Sequence, residues 1–302
     1  MIDSPQFYFW KDFKCAYTVN TSGNTQSQTS AIVLIHPIGV GISKAFWQPF
    51  IQAWLVNNPN SVIYNPDLIG CGECDLPSVA IYPSDWAAQL RCFLENVVKK
   101  PVTLIVQGAS FPIAIKLIQI TNADLIEGLV LSTPPAWRTM TEKAQPLTQK
   151  LLWNLFFNSP IGLGNLFYRY ARRRQFIESF SMRQLFADAE QVDSQWLDSL
   201  VEGAKDPRTR YAVFSFLAGF WREDYTYAIS TIQQPTLVVW GQQTSSISRG
   251  SFTETLQERT DLYVKHLPQA QVVIIEGRNV LPVESTSTLV AVVTDFWQEL
   301  VN

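Results

Sequence analysis

The chain has 302 residues, of which 47% are hydrophobic and 16% charged, with a net charge of −3. That length suits one large α/β domain or a domain with an insert, and the apolar content excludes intrinsic disorder. The charge balance argues against a nucleic-acid partner, four scattered cysteines exclude a disulfide framework and fit a reducing compartment, and no apolar run of about 18 residues exists to cross a membrane as a helix.

The first 15 residues carry an early aspartate, no basic leader and no apolar stretch of signal-peptide length, which predicts a cytoplasmic protein. "FYFW" and "KCAYTV" predict an opening hairpin, and polar residues 20–30 a loop. "AIVLIH" (31–36) reads as a buried strand, "AFWQPFIQAWLV" (45–56) as a helix and "SVIYNPD" (61–67) as a second buried strand. "SDWAAQLRCFLENVV" (84–98) predicts a helix with Ser84 or Asp85 near its N-cap. Further strands are predicted at "VTLIVQ" (102–107), "IEGLVLS" (126–132), "PTLVVW" (235–240) and "QVVIIE" (271–276). Continuous Val/Ile/Leu runs alternating with helices imply a mostly parallel sheet covered on both faces.

Residues 136–228 differ in character. They contain no strand-like run and hold 18 of the chain's 38 aromatic residues. A helical insert between sheet strands is expected to lie over the strand ends as a cap, leaving 1–135 and 229–302 as the core domain.

Ligands in an open parallel sheet sit beyond the carboxyl ends of the strands. There, in "TLIVQGASFPIAI" (103–115), a strand runs through Gly108-Ala109-Ser110 into a helix. Gly108 permits the tight turn, Pro112 falls in the first helical turn, and Ser110 is the candidate nucleophile. The N–H of Phe111 is expected to be free to hold an oxyanion, with the helix dipole adding to it.

Two further loops extend the pattern. "VLIHPIGVG" (33–41) follows a strand with His36-Pro37 and a glycine-rich loop, and "NPDLIGCGECD" (65–75) presents Asp67-x-x-Gly70-x-Gly72. With the serine turn, these loops in this order resemble the α/β-hydrolase superfamily in its helical-cap group. The resemblance runs on through "QQPTLVVWGQQ" and "AQVVIIEGRNVLPVES". It implies an α/β-hydrolase fold with an inserted helical cap, Ile38 as the second oxyanion N–H donor, and His36 as a loop histidine beside the site.

The resemblance also exposes a deficiency. The family's acid follows W-G-x-x, where this chain has Thr244, or the sixth strand, where it has Ser132-Thr133-Pro134-Pro135. The family's base follows the last strand as G-x-H, where this chain has Gly277-Arg278-Asn279. Of the two histidines, His266 precedes the last strand and so is expected at the far end of the sheet, and His36 belongs to the oxyanion loop. An amide cannot take a proton from Ser110 at neutral pH. Glu276 or a cap carboxylate is the alternative base.

Cys71 and Cys74 form a C-x-x-C without a thioredoxin-like context or second ligand pair, so no metal or cofactor is implied. The segment 151–174 is apolar and aromatic and ends in Arg169, Arg172, Arg173 and Arg174. It reads as a cap helix packed on the core, or as a segment in peripheral contact with an anionic membrane. Cap aromatics such as Trp137 and Trp221 would roof an apolar small-molecule site. The expected function is binding of an apolar ligand or a partner, with hydrolysis lost or altered. The alternative is hydrolysis of an apolar carboxylic ester by Ser110 with a non-standard base.

Overall fold

The protein is represented by a computed structural model, which describes residues 4–22, 30–158, 162–247 and 254–301. Most of the predicted loop 20–30 and residues 159–161 of the 151–174 segment lie outside the described residues. Eight strands form one sheet: β1 (Gln6–Trp10), β2 (Phe13–Asn20), β3 (Ala31–Ile35), β4 (Ile63–Pro66), β5 (Val102–Gln107), β6 (Ile126–Ser132), β7 (Thr236–Gly241) and β8 (Ala270–Ile275), in the order β1-β2-β4-β3-β5-β6-β7-β8. The β1–β2 hairpin turns at Lys11, and β2 pairs antiparallel with β4. The remaining pairs are parallel. β3, β5 and β7 are buried throughout, as strands covered on both faces must be.

Alternate residues of the central strands feed two cores. Val33, Ile35, Leu104, Val106, Leu129 and Leu131 face one way, and Ile32, Leu34, Ile105, Val130, Leu237 and Val239 the other. Helices α1 (Gln48–Asn57), α2 (Pro83–Phe93) and α3 (Phe111–Ile120) follow β3, β4 and β5. α2 and α3 cover the first face, and α1 packs over the second. The helix predicted over 84–98 begins at Pro83 with Tyr82 as N-cap. Its Asp85 accepts the N–H of Tyr82 at 3.0 Å, so Asp85 caps from the third helical position.

No strand falls between β6 and β7 among the described residues. The chain there forms α4 (Trp137–Thr141), α5 (Pro146–Leu151), α6 (Leu163–Ala171), α7 (Arg174–Phe180), α8 (Ser194–Gly203), α9 (Arg210–Leu217) and α10 (Thr226–Ser230), with wider turns continuing α5 to Phe157 and α7 to Leu185. This insertion is woven into both cores: Trp137, Met140 and Tyr225 join the first, and Leu185, Phe186 and Trp196 the second. A third cluster is its own, around Trp153, Phe157, Tyr168, Phe214 and Phe220. A Cβ on Gly203 of α8 would collide with the main chain of Gly41, and one on Gly41 with the main chain of Leu200. The insertion therefore meets the β3 loop backbone against backbone.

After β7 come α11 (Leu256–His266), α12 (Leu281–Glu284) and α13 (Thr286–Val301), the last packing beside α1. No helix among the described residues is long and apolar enough to cross a membrane.

Candidate active site

The carboxyl ends of β3 and β5–β8 converge at one edge of the sheet. Gln107 ends β5 beside Ser132 of β6, which in turn pairs with Val239 of β7. Beyond Gln107 a single tight turn, Gly108–Ser110, leads directly into α3. Gly108 has φ +56°, a left-handed conformation that glycine adopts without the Cβ penalty. Ser110 has φ −83° and ψ −2°, close to the helix it precedes. The strand-to-helix reversal is thus made at Gly108, two residues before the serine. A Cβ placed on Gly108 would find only the carbonyl oxygen of Thr133 within 4 Å, at 3.9 Å.

Ser110 is fully buried, and its hydroxyl donates to the main-chain carbonyl of His36 at 2.8 Å. The N–H of Phe111, expected to be free, donates instead to the carbonyl of Gly108, because the tight turn closes its own hydrogen bond there. Phe111 is fully buried and Ile38 nearly so.

His36 is neutral and doubly engaged. Its Nε2 accepts the N–H of Leu68 at 3.1 Å, which assigns the ring proton to Nδ1, and Nδ1 donates to the carbonyl of Pro37 at 2.9 Å. Burial pushes its pKa down, and nearby Asp67 opposes this without reversing it. The ring holds the β3 and β4 loops together. His266, at the end of α11, stacks on Trp137 with centroids 4.6 Å apart, so its ring lies against the insertion and its contact there is Trp137, not Ser110.

Asp67, fully buried, organises the β4 loop. It accepts the main-chain N–H and the ammonium of Lys44, each at 2.7 Å, and the N–H of Glu73 at 3.0 Å. Glu73 also pairs with the Lys44 ammonium. Burial alone would lower the Lys44 pKa, but the two carboxylates outweigh it and raise it. A Cβ on Gly72 would strike the Asp67 carboxylate, so the glycine lets the loop wrap around it. Cys74 donates to the Asp67 carbonyl at 3.2 Å, and Cys71 is a buried thiol whose pKa is pushed up by burial.

Asn279 ties the β8 loop to the insertion. Its N–H donates to Leu185 O at 3.0 Å and its side-chain amide to Gln184 O at 2.7 Å. Ser245 reaches the same side chain at 3.4 Å through both its N–H and its hydroxyl. Thr244 donates to the carbonyl of Arg278 at 2.9 Å. Glu284 strengthens the staple by accepting the N–H of Ala187 at 2.8 Å. Glu276, at the surface, does not join this cluster.

Gln107, Gly108, Thr133 and Asn279 therefore form one group. The Gln107 amide donates to Thr133 Oγ1 and to Asn279 O, both at 2.8 Å. Thr133 holds φ +44°, an unusual conformation for a β-branched residue, at the point where these loops join. Gln107 Oε1 and Ser132 Oγ are buried there without a partner among the described residues, which stable packing alone disfavours. Ser110, His36 and the β3 loop form a second group linked by the Ser110–His36 bond. Sequence reasoning named Gly108 as the glycine that permits the turn but put the nucleophile position at Ser110, and it missed Gln107, Ser245 and the Lys44–Asp67 pair. The signal for Gly108 was present in Val106-Gln107-Gly108-Ala109-Ser110, where a glycine stands at the sharpest point.

Trp137 donates its main-chain N–H to Glu254 at 2.9 Å and packs edge-on against Tyr263. Trp221 stacks on Phe216 at 5.1 Å. A cavity of about 500 Å³ opens between the core loops and α8, with Lys44, Glu73, Glu202 and Asp206 on its walls. It is not the site expected under the aromatic residues, since neither Trp137 nor Trp221 lines it.

A sequence profile described as the alpha/beta hydrolase family matches residues 32–292. No curated protein matches the chain significantly by sequence. Among solved structures, the fold is similar to that of an epoxide hydrolase, CorEH, with a TM-score of 0.75 and 15% identity over 98% of this chain and 99% of that one. It is similar to a serine hydrolase involved in carbazole degradation, with a TM-score of 0.73 and 16% identity over 98% of each chain. A thermophilic esterase from Thermogutta terrifontis gives 0.71 and 15% over 99% of this chain and 100% of its own.

Proposed function

The chain belongs to the alpha/beta hydrolase family, and from that premise we propose that it is a member without serine-hydrolase chemistry that acts by binding an apolar small molecule or a protein partner. The observation that carries this reading is the backbone of the turn after β5. A serine elbow places its nucleophile on a sharp, strained strand-to-helix turn with the hydroxyl exposed above the sheet. In this chain the left-handed position is Gly108, which has no side chain, while Ser110 lies buried at the start of α3.

The remaining chemistry agrees. The Ser110 hydroxyl is committed to the His36 carbonyl, which cannot accept its proton. Asn279 and Thr244 stand where the resemblance puts base and acid, and neither titrates near neutral pH. Removing the nucleophile or base of a serine protease costs on the order of 10⁶ in turnover. A chain lacking nucleophile, base and acid keeps at most the weak assistance of binding and dipoles, roughly 10³–10⁴ over water in that system. The aromatic richness of the insertion supports an apolar ligand or partner.

Exposure of the purified protein to a fluorophosphonate probe tests the reading. No adduct is expected at Ser110. Rapid stoichiometric labelling abolished by Ser110→Ala would establish instead an ester hydrolase with an unrecognised base.

A further inference from the structure

We propose that the outer face of the α5–α6 hairpin docks on an anionic membrane surface. Both helices bury their inner faces in the same small cluster: Trp153 and Phe157 follow α5, and Tyr168 comes from α6. A Cβ on Gly164 would press on the main chain of Phe156 and Phe157, so the two segments cross at close range. Their outer faces carry large apolar side chains. Leu147, Leu151 and Leu155 recur every fourth residue and are 83%, 59% and 62% exposed, and Leu163 and Leu166 of α6 are 45% and 60% exposed. Water disfavours so many adjacent exposed leucines, and such a patch marks a surface that is covered in use.

Charge identifies the cover. Between residues 143 and 177 the sequence holds six Lys and Arg residues and no Asp or Glu, in a chain whose net charge is −3. On α6 the basic and apolar groups share a side: Leu166, Arg169 and Tyr170 follow the i, i+3, i+4 spacing of one helical face, and Arg173 follows just beyond the helix end. Lys150, Arg169 and Arg173 form no ion pair among the described residues, whereas Arg174 pairs with Asp198. Next to this face Tyr170, Arg173, Phe176 and Arg183 line a groove of about 260 Å³, where rings and guanidinium groups stand together. Leucines flanked by unpaired cations match a bilayer of anionic headgroups, in which the leucines enter the acyl boundary and the cations meet phosphate. A neutral apolar partner would leave those cations uncompensated.

Co-sedimentation of the full chain with vesicles tests this docking. Binding is expected to phosphatidylcholine vesicles containing 30% phosphatidylserine and not to pure phosphatidylcholine. Because the cations act through screened attraction, it should weaken about tenfold between 0.1 M and 0.5 M salt. Two variants with unchanged thermal midpoints, Arg169→Glu/Arg173→Glu and Leu151→Asp/Leu155→Asp/Leu166→Asp, should each lose it. Absence of binding to the anionic vesicles, or retention by both variants, overturns the proposal. So does a parent that is dimeric by sedimentation velocity and becomes monomeric with the leucine substitutions, since a second copy then covers the face. None of these results depends on whether Ser110 reacts with a phosphonate.

Discussion

The side-chain amide of Gln107 donates to the main-chain carbonyl of Asn279 at 2.8 Å, joining the residue just before the β5 turn to the loop after β8. The loops after β5 and β8 are thus assembled side by side, and under the proposed function they carry glycine and asparagine where a hydrolase would keep its nucleophile and base.

That assembly predicts a gain of function. Gly108→Ser combined with Asn279→His and an acid at Thr244→Asp or Ser245→Asp should produce measurable esterase activity toward p-nitrophenyl esters. The expected gain is on the order of 10² over the parent, the lower end of what a positioned base supplies. The serine fits spatially, since only Thr133 O approaches its Cβ, though its left-handed backbone costs about 1–3 kcal/mol of stability. The gain should survive added Ser110→Ala; activity that requires Ser110 would show the turn has been read in the wrong place.

Ser110→Ala alone should lower stability by about 1–3 kcal/mol, because the His36 carbonyl loses its buried donor. Urea unfolding measures this. A variant as stable as the parent would mean the hydrogen bond contributes nothing to folding.

Gly203→Ala should destabilise by about 1–3 kcal/mol, since the added methyl collides with the main chain of Gly41 and must push α8 away from the β3 loop. Thermal unfolding and the exchange of amides in residues 194–203 report it. An unchanged midpoint would count against the backbone contact between insertion and core.

Asp67→Asn should cost about 3–5 kcal/mol, because it strips a buried carboxylate from the largely buried Lys44 ammonium. Adding Lys44→Met should restore part of the loss. If the double variant is no better than the single one, the pair is not coupled.

Acid should weaken the fold through His36. Its pKa is lowered in the native state by burial, so the unfolded chain binds the proton first, at about pH 6.5. The stability His36 contributes is complete above that pH and falls as pH drops below it, by at most about 1.4 kcal/mol per pH unit. Urea midpoints at pH 7.5, 6.0 and 5.0 should decline less steeply for His36→Gln than for the parent. Parallel declines would assign the acid sensitivity to other groups.

Much of the architecture was legible in the chain. The apolar runs at 31–36, 102–107, 126–132 and 235–240 became β3, β5, β6 and β7 because a strand buried on both faces must be apolar at every position. The absence of strands among the described residues between β6 and β7 was equally readable. Local boundaries were harder: Tyr82, not Ser84, caps α2, since a proline at the first helical position shifts the start.

The candidate site divides along the same line. Sequence alone determined that Asn279 and Thr244 cannot serve as base and acid near neutral pH, because residue identity decides whether a group can hold a proton. Only the tertiary structure decided that the left-handed position after β5 is Gly108 and not Ser110. Both Gly108 and Ser110 lie in the same short motif, and motif spacing carries no dihedral angle. It also decided that Asn279 binds Gln184 and Leu185 of the insertion, contacts across 95 and 94 residues of chain that no local pattern encodes. Hydrogen bonds between distant loops exist only once the sheet has brought their ends together.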